Sequence, residues 1–196
     1  MSWQKIRQKI INHVPVRRWR NWLSYHYGWF PHNFIGPDVQ ISSIRKLKLG
    51  GHVYISGNGA KLCCEGGLTI GYNTKFGEGC FVITTNHNYK SDIRTPYDNI
   101  GLEQPVDIGR NCWIGARSMI CPGVKIEDGV VVAMGSVVTK SVPKCAIVGG
   151  NPAKIIGWRD KEQYDKLVSE GLEYPIENEL PREWVKVEGF KKYLEG

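Results

Sequence analysis

A histidine stands where a regular pattern in the sequence breaks. Hydrophobic residues recur every six positions up to Val82, stop before His87 and begin again at Ile108. The stretch between them contains prolines, tyrosines and charges, so we predict an excursion loop over residues 86–107. Loops of this length inside a compact repeat are usually functional. Because a neutral imidazole near pH 7 is suited to taking a proton from a hydroxyl group, His87 is the candidate general base.

A base of this kind is normally oriented by a hydrogen-bond acceptor on its second nitrogen. Glu103, Asp92 and Asp98 are acidic residues of the same loop, and a backbone carbonyl would also serve, so the residues alone leave the choice open. Asn86 is the candidate contact for the molecule that is deprotonated, or else an ordinary turn residue. The other histidines precede the repeats or lie in their first turns, where we expect structural or surface roles (His13, His26, His32 and His52).

The repeats that must position His87 are clearest over residues 108–143, which form six hexads in one register. A bulky aliphatic residue opens each hexad (Ile108, Ile114, Ile120, Ile126, Val132 and Val138). The fifth place holds a small or β-branched residue (Cys112, Ser118, Val124, Val130, Ser136 and Val142). A period of six fits neither an amphipathic helix nor a lone strand, and it indicates a repeat architecture. We predict a three-sided coil of parallel strands whose first and fifth hexad residues point inward.

The rest of the chain fits around this coil. Weaker six-residue steps over residues 31–81 predict its first turns, and the coil domain is expected to span residues 31–157. Pro152 cannot donate to a further ladder, so the sheet is expected to end there. Residues 159–170 have the pattern of a helix that stops at Gly171, within a helical extension over residues 158–196.

Charge is unevenly distributed in a chain whose formal net charge is +7. Residues 1–30 contain six Lys or Arg and no acidic residue, with apolar residues at helical spacing, so we predict a basic helical arm. Two interpretations compete: a helix that covers the end of the coil, or a contact with a membrane surface or an acidic glycan. Arg beside Trp also suggests nucleic acid, but no recognition module accompanies it, and nucleic acid is not expected as a partner.

No run of 18 apolar residues is present, and the N-terminus lacks the features of a secretory signal. Six cysteines lie at repeat positions without metal-type spacing, which favours small core residues in a reducing compartment and no metal. We therefore expect a cytoplasmic protein, and membrane contact through the basic arm would place it at the inner face of the membrane.

The hexads together with several motifs resemble the hexapeptide-repeat acyltransferase superfamily, in particular its maltose and galactoside O-acetyltransferase type. The motifs are these: TTNHNY around His87, GLE at 101–103, PVDIG at 105–109, NCWIG at 111–115, GSVVTK at 135–140 and GNPAK at 150–154. The resemblance implies a left-handed parallel β-helix, a homotrimer, and acetyl-CoA as co-substrate without a permanently bound cofactor. It also implies that His87 is the catalytic base for transfer to a sugar hydroxyl, and makes Glu103 a candidate catalytic partner. No Ser-His or Cys-His nucleophile motif is visible, so we predict direct transfer in a ternary complex.

The resemblance further implies an acetyl-CoA site between neighbouring subunits. The residues assigned to it are Trp113, Gly115, Ala116, Met134, Thr139, Lys140 and Lys154. Arg159 is a further candidate for the phosphates. One departure stands out: Ile155-Ile156-Gly157 follows Lys154, with no arginine where relatives place a second phosphate ligand.

Three functions are compatible with these residues. The first is an acetyl-CoA-dependent O-acetyltransferase for a sugar of a surface polysaccharide or its precursor. The second is a relative with a non-sugar acceptor: serine, a streptogramin-type antibiotic or a nucleotide-sugar amine. The third is a β-helix without catalysis; a carbonic anhydrase would need three zinc histidines, and only His87 lies in the central repeats.

Overall fold

A computed structural model of the protein describes residues 33–36 and 38–173. The chain winds as a coil in which each turn contributes one short strand to each of three faces. The first turn contains β1 (Phe34–Ile35), β2 (Gln40–Ser42) and β3 (Leu47–Leu49), with a single 3-10 turn at Ile44–Lys46. The second contains β4 (Tyr54–Ile55), β5 (Lys61–Cys63) and β6 (Leu68–Ile70).

The third turn is the one that is interrupted. It contains β7 (Lys75–Phe76) and β8 (Phe81–Ile83), then the hairpin strands β9 (Thr85–His87) and β10 (Gly101–Glu103), and then β11 (Val106–Ile108). The fourth turn contains β12 (Trp113–Ile114), β13 (Met119–Ile120) and β14 (Lys125–Ile126). The fifth contains β15 (Val131–Val132) and β16 (Val137–Val138), and the last strands are β17 (Ala146–Gly149) and β18 (Lys154–Trp158).

Strands of successive turns pair in parallel and build three sheets. Face 1 has the order β1-β4-β7-β12-β15-β17-β18, face 2 the order β2-β5-β8-β13-β16, and face 3 the order β3-β6-β11-β14. The register keeps equivalent hexad residues in line: Ile114 of β12 pairs with Phe76 of β7 and with Val132 of β15. Strands in such ladders lie about 4.8 Å apart, which sets the height of one turn.

The interior confirms the predicted inward positions. All six first residues of the hexads over 108–143 are buried, and so are all six fifth residues. Ser118 and Ser136, the two polar residues among them, each donate a hydroxyl hydrogen bond to the carbonyl of Ala133, at 3.0 and 2.6 Å. Burying apolar area contributes about 25 cal/mol per Å², so this continuous core is the main stabilising term.

In five of the six hexads the fourth residue turns the corner in a left-handed backbone conformation, the exception being Ser141 of the last hexad. Gly123, Gly129 and Gly135 have φ of 77°, 71° and 70°, and Asn111 has 56°. Arg117 occupies the equivalent corner with φ of 57°, where a side chain is disfavoured. A turn at every sixth residue is what keeps the coil three-sided.

The expectation that the sheet ends at Pro152 is wrong. The chain reverses after Gly149, and β18 adds to face 1 as an antiparallel strand paired with β17. Pro152 lies in the reversal, outside either strand, so its missing N–H removes no ladder hydrogen bond. The strand covers the upper edge of face 1, which would otherwise offer unpaired backbone groups to another chain.

A helix follows this strand, as the sequence predicts. Helix α1 (Lys161–Ser169) is capped at its N-terminus by Asp160, whose Oδ1 accepts from the Gln163 N–H at 2.8 Å. Gly171 has φ of 68°, consistent with the predicted stop. The predicted basic arm, and the part of the C-terminal extension beyond Glu173, lie outside the described residues. Within residues 33–36 and 38–173, no helix is long and apolar enough to cross a membrane.

Candidate functional site

The excursion emerges at the corner between faces 2 and 3, directly after β8. Its base is an antiparallel pair in which His87 of β9 lies opposite Gly101 of β10, and Thr85 lies opposite Glu103. The backbone N–H of Gln104 donates to the carbonyl of Thr84 at 2.8 Å and closes the base of the hairpin. The coil resumes at Val106, a fully buried residue of β11. The hairpin thus fixes the backbone of His87 against the coil.

The imidazole of His87 is open to a ligand. The residue is exposed, and a Cβ placed on Gly101, its partner across the hairpin, would meet no atom within 4 Å. Among the residues that the structure describes, the His87 ring nitrogens have no hydrogen-bond partner. The ring instead stacks on Tyr97, with centroids 3.9 Å apart and planes inclined by 15°.

Two of the three acidic candidates, Glu103 and Asp98, are hydrogen-bonded to groups other than His87. Both oxygens of Glu103 accept from Lys46 Nζ, at 3.0 and 3.1 Å. Glu103 nevertheless lies on the same face of the hairpin as His87, one diagonal step away, since it sits two residues beyond Gly101. Asp92 is exposed in the loop.

Asp98 closes the loop. Its Oδ2 accepts from the Asn88 side-chain amide at 2.7 Å and its Oδ1 accepts from the Ile100 N–H at 2.8 Å. The hydrogen bond from Ile100, with smaller contributions from Ser91 and Asn88, lowers the pKa of the Asp98 carboxyl against the opposing effect of burial. The carboxylate therefore stays ionised and ties the two ends of the loop together.

Asn86 faces the opposite side of the hairpin from His87, because side chains alternate along a strand. Its Oδ1 accepts from the backbone N–H of His87 at 2.9 Å. The amide thus fixes the backbone next to the imidazole, and only its Nδ2 is left to reach a ligand.

The residues assigned to acetyl-CoA lie at three places on the coil, namely two different corners and face 1. Gly115, Ala116 and Met134 adjoin at the corner between faces 1 and 2: a Cβ on Gly115 would lie 2.5 Å from the Met134 backbone nitrogen, and the Gly135 N–H donates to the Ala116 carbonyl at 2.8 Å. Lys154 opens β18 opposite Gly149, at the upper end of the same corner. This corner presents Met134 as its most exposed apolar side chain, with 74% of it accessible.

Thr139 and Lys140 lie at a different corner, the one between faces 2 and 3. They follow β16, two turns above β8, so they share with His87 the corner from which the excursion leaves. Both are exposed. A single copy of the described chain therefore does not bring these two residues together with Gly115, Ala116 and Met134.

Trp113 stands on face 1 with 57% of its side chain exposed. It borders a groove of about 240 Å³ between that face and helix α1, together with Lys75, Tyr164 and Arg159. Burial lowers the pKa of Lys75 within this groove. The indole can therefore present a flat apolar surface to a ligand that lies along face 1.

The cysteines have structural surroundings. Cys64, Cys80, Cys112 and Cys145 are buried, and all six are free thiols. Over residues 33–36 and 38–173, no group of three or more His, Cys, Asp or Glu side chains is placed to hold a metal ion.

Two contacts at this site are not indicated by the sequence pattern. The first is the stacking of Tyr97, because nothing in its spacing indicates contact with an imidazole ten residues earlier. Lys46 is separated from Glu103 by 57 residues and reaches it across the second turn of the coil, where it also donates to the Glu65 carbonyl. To predict this contact one would need to know which residues of successive turns lie above one another.

Comparison with known proteins identifies the family. The profile described as "Hexapeptide repeat of succinyl-transferase" matches residues 105–140. The putative colanic acid biosynthesis acetyltransferase WcaF of Escherichia coli K12 is 31% identical over 79% of this chain and 84% of its own length. Galactoside O-acetyltransferase of the same organism is 30% identical over 68% of this chain and 66% of its own.

A chloramphenicol acetyltransferase of Klebsiella aerogenes is 48% identical over 80% of this chain and 73% of its own length. Among solved structures, the hexapeptide-repeat acetyltransferase VCA0836 of Vibrio cholerae, in complex with acetyl coenzyme A, is 27% identical with a TM-score of 0.59. The match covers 66% of this chain and 70% of that one. These similarities, together with the three parallel faces, confirm the predicted left-handed parallel β-helix. The chain belongs to the hexapeptide-repeat acetyltransferase family, which includes sugar O-acetyltransferases.

Proposed function

We propose that the protein is an acetyl-CoA-dependent O-acetyltransferase that acts on a sugar hydroxyl, in a surface polysaccharide or its precursor. The observation that carries this proposal is the exposed imidazole of His87, held on a hairpin at a corner of the coil opposite the side-chain-free Gly101. Similarity to WcaF and to galactoside O-acetyltransferase supports the sugar acceptor.

The proposed reaction is a direct transfer in a ternary complex. His87 removes the proton of the acceptor hydroxyl as its oxygen attacks the thioester carbonyl carbon, forming a C–O bond and a tetrahedral intermediate. The intermediate collapses with cleavage of the C–S bond, and the proton on His87 passes to the leaving thiolate. The products are an acetyl ester and free coenzyme A, and no enzyme-bound acyl group is formed.

Glu103 supports this step from the same face of the hairpin. As the imidazole gains positive charge, a carboxylate one diagonal position away stabilises it electrostatically. Asn86 is assigned to the acceptor through its Nδ2 alone, since its oxygen is bonded to the His87 N–H.

The proposed acetyl-CoA site requires a second copy of the chain. Gly115, Ala116, Met134 and Lys154 line one corner, whereas Thr139, Lys140 and His87 line another. In a homotrimer of coils packed side by side, one corner of each copy can face the other corner of its neighbour and complete a groove. Trp113 would pack on the pantetheine or acyl end, and Lys140 and Lys154 would meet the phosphates.

We also propose the cellular compartment in which the reaction takes place. Six free thiols, four of them buried, suit the reducing cytoplasm, where we place the reaction. Acetyl-CoA enters as a co-substrate and leaves as coenzyme A, so no permanently bound cofactor is required.

A second candidate acceptor is favoured by one observation. The Klebsiella aerogenes relative at 48% identity is a chloramphenicol acetyltransferase, so a non-sugar hydroxyl is the alternative to a sugar. The chemistry at His87 is the same for either acceptor, and only the surfaces that bind it differ.

A panel assay of thiol release from acetyl-CoA distinguishes the two. The panel contains maltose, galactosides, acidic oligosaccharides, serine, chloramphenicol and a streptogramin, with mass spectrometry of the products. Turnover with saccharides and an O-acetyl product supports the proposal. Turnover with chloramphenicol or another non-sugar only would reject the proposed acceptor class, and no thiol release above solvent hydrolysis with any acceptor would reject the enzymatic function.

A further inference from the structure

The contact between the His87 and Tyr97 rings restricts the orientation of the imidazole, which is the proposed base. The planes are nearly parallel at 15° with centroids 3.9 Å apart, so the phenol ring covers one face of the imidazole. The edges that carry the ring nitrogens are left uncovered. Rotation of the imidazole about its Cβ–Cγ bond would break the contact, so stacking restricts the directions in which the nitrogens point.

Tyr97 is itself held in place by the residue that follows it. Asp98 has only 7% of its surface exposed, and its two oxygens accept from the Asn88 amide and the Ile100 N–H. The Asn88 backbone N–H also donates to the Ile100 carbonyl at 3.2 Å. Because Asn88 adjoins His87 and Asp98 adjoins Tyr97, these bonds tie together the two chain segments that bear the stacked rings.

Stacking on Tyr97 also stabilises the positive charge that His87 acquires when it takes a proton. When His87 takes a proton the imidazole becomes a cation, and the face of an aromatic ring attracts a cation by about 0.5–1 kcal/mol at exposed sites. The other charged group on this face of the hairpin is Glu103, which is paired with Lys46. The phenol hydroxyl plays no part in either effect, so a phenyl ring would serve equally well.

We propose that Tyr97 is a positioning residue for His87, which holds the plane of the imidazole and stabilises the imidazolium formed on proton removal, with Asp98 fixing Tyr97 in turn. This inference rests on the proposed role of His87 as the base. In this role Tyr97 acts on the reaction through His87.

The kinetic test compares Tyr97→Phe with Tyr97→Leu, using acetyl-CoA and the saccharide of the panel that gives the highest thiol release. Tyr97→Phe should retain kcat within about twofold, while Tyr97→Leu should lower kcat about tenfold and leave both KM values within about twofold. In a His87→Ala background, Tyr97→Leu should have no further effect on the residual rate. A wild-type kcat for Tyr97→Leu, an effect on KM alone, or an equal loss in both backgrounds would each overturn the inference.

A second measurement does not depend on activity. In protein labelled with ¹³C in its histidine rings, the His87 C–H resonances are identified by their loss in His87→Ala, and ring current from Tyr97 should shift them upfield. Tyr97→Leu should abolish that shift and Tyr97→Phe should keep it. Asp98→Asn, which touches neither ring, should reduce both the shift and kcat.

The two hypotheses can therefore fail separately. If His87→Ala retains turnover, the proposed base is wrong and Tyr97 has no catalytic group to position. If His87→Ala abolishes turnover while Tyr97→Leu leaves the His87 resonances in place, the base stands and the positioning role of Tyr97 is rejected.

Discussion

The carboxylate of Glu103 forms an ion pair with Lys46, with 3.0 Å between Oε1 and Nζ, on the hairpin face that also carries His87. Both side chains are about half exposed, so the pair contributes little to stability, about 0–1 kcal/mol. Its consequence is electrostatic, because the lysine offsets the charge that would otherwise act on the imidazole. Glu103→Gln removes the carboxylate and leaves the Lys46 cation unpaired on this face, so kcat is expected to fall about fivefold to tenfold because the imidazolium is less stabilised.

Lys46→Met provides the matched comparison for Glu103→Gln. It removes the cation and leaves the carboxylate in place, so kcat should stay the same or rise. Both effects should diminish at high ionic strength, because exposed charges are screened by salt. A parallel loss of kcat in the two variants would show that the pair merely holds the hairpin together.

His87→Ala is expected to reduce thiol release by at least about 100-fold, the usual contribution of a positioned general base. The variant should keep the thermal stability of the wild type, because the side chain is exposed. Lys90→Ala, an exposed substitution in the same loop, is the control and should leave turnover unchanged. Turnover within a few-fold of wild type in His87→Ala would remove the imidazole from the mechanism.

The two lysines assigned to the phosphates make a separate prediction about binding. Lys140→Ala and Lys154→Ala should each raise the KM for acetyl-CoA by about threefold to tenfold while kcat is maintained, since a phosphate contact acts equally in the ground and transition states. Steady-state kinetics at two salt concentrations would check this, with a weaker effect at the higher one. Lys125→Ala, on face 3, is the control. If that variant raised KM as much as the other two, the effect would be one of net charge only.

Gly115 is predicted to be required for the stacking of turns. A Cβ at this position would lie 2.5 Å from the Met134 nitrogen and 2.6 Å from the Val132 oxygen, both backbone atoms of the next turn. Gly115→Ala should therefore destabilise the protein by about 1–3 kcal/mol, as overpacking usually does. At about 2–4 °C per kcal/mol the loss is measurable by thermal unfolding. Gly101→Ala, where the space is open, should leave Tm unchanged; equal Tm values for both variants would contradict the close packing.

The sequence predicts the coil well because its six-residue period equals the length of chain that forms one face. The first and fifth residues of each hexad are buried as expected, and the break before His87 marks the excursion. The fold of the repeats is local, since each hexad makes one face and contacts mainly the hexads above and below it. The six-residue period of the sequence therefore predicts which residues form each face of the coil.

Contacts that depend on how turns stack are not predictable in this way. The Lys46–Glu103 pair and the return of β18 against β17 both depend on tertiary placement. Pro152 shows the limit of a local rule: the residue cannot join a ladder, but the chain passes it in a reversal and resumes the sheet. The stacking of Tyr97 on His87 likewise depends on the path of a 13-residue loop, which no repeat constrains.

The buried thiols of the coil predict how its stability changes at alkaline pH. Burial raises the pKa of Cys112 from 9.0 to about 12, and it raises that of Cys64 to about 12 with a smaller contribution from Glu65. Between about pH 9 and pH 12 the unfolded chain releases these protons while the native protein retains them. Because the unfolded state then binds fewer protons, the free energy of unfolding falls as pH rises, by up to about 1.4 kcal/mol per pH unit for each thiol.

Denaturant unfolding at pH 8, 9, 10 and 10.5 would measure this slope. Cys112→Ala and Cys64→Ala should each flatten it, and the double variant should flatten it further, whatever the loss of packing does to the absolute stability. The thiols should also resist alkylation in the native state at pH 8 and react on unfolding, because the thiolate is the nucleophile. Identical slopes in wild type and variants would show that these cysteines ionise in the coil as readily as in the unfolded chain, and that the interior at Cys112 is accessible to water.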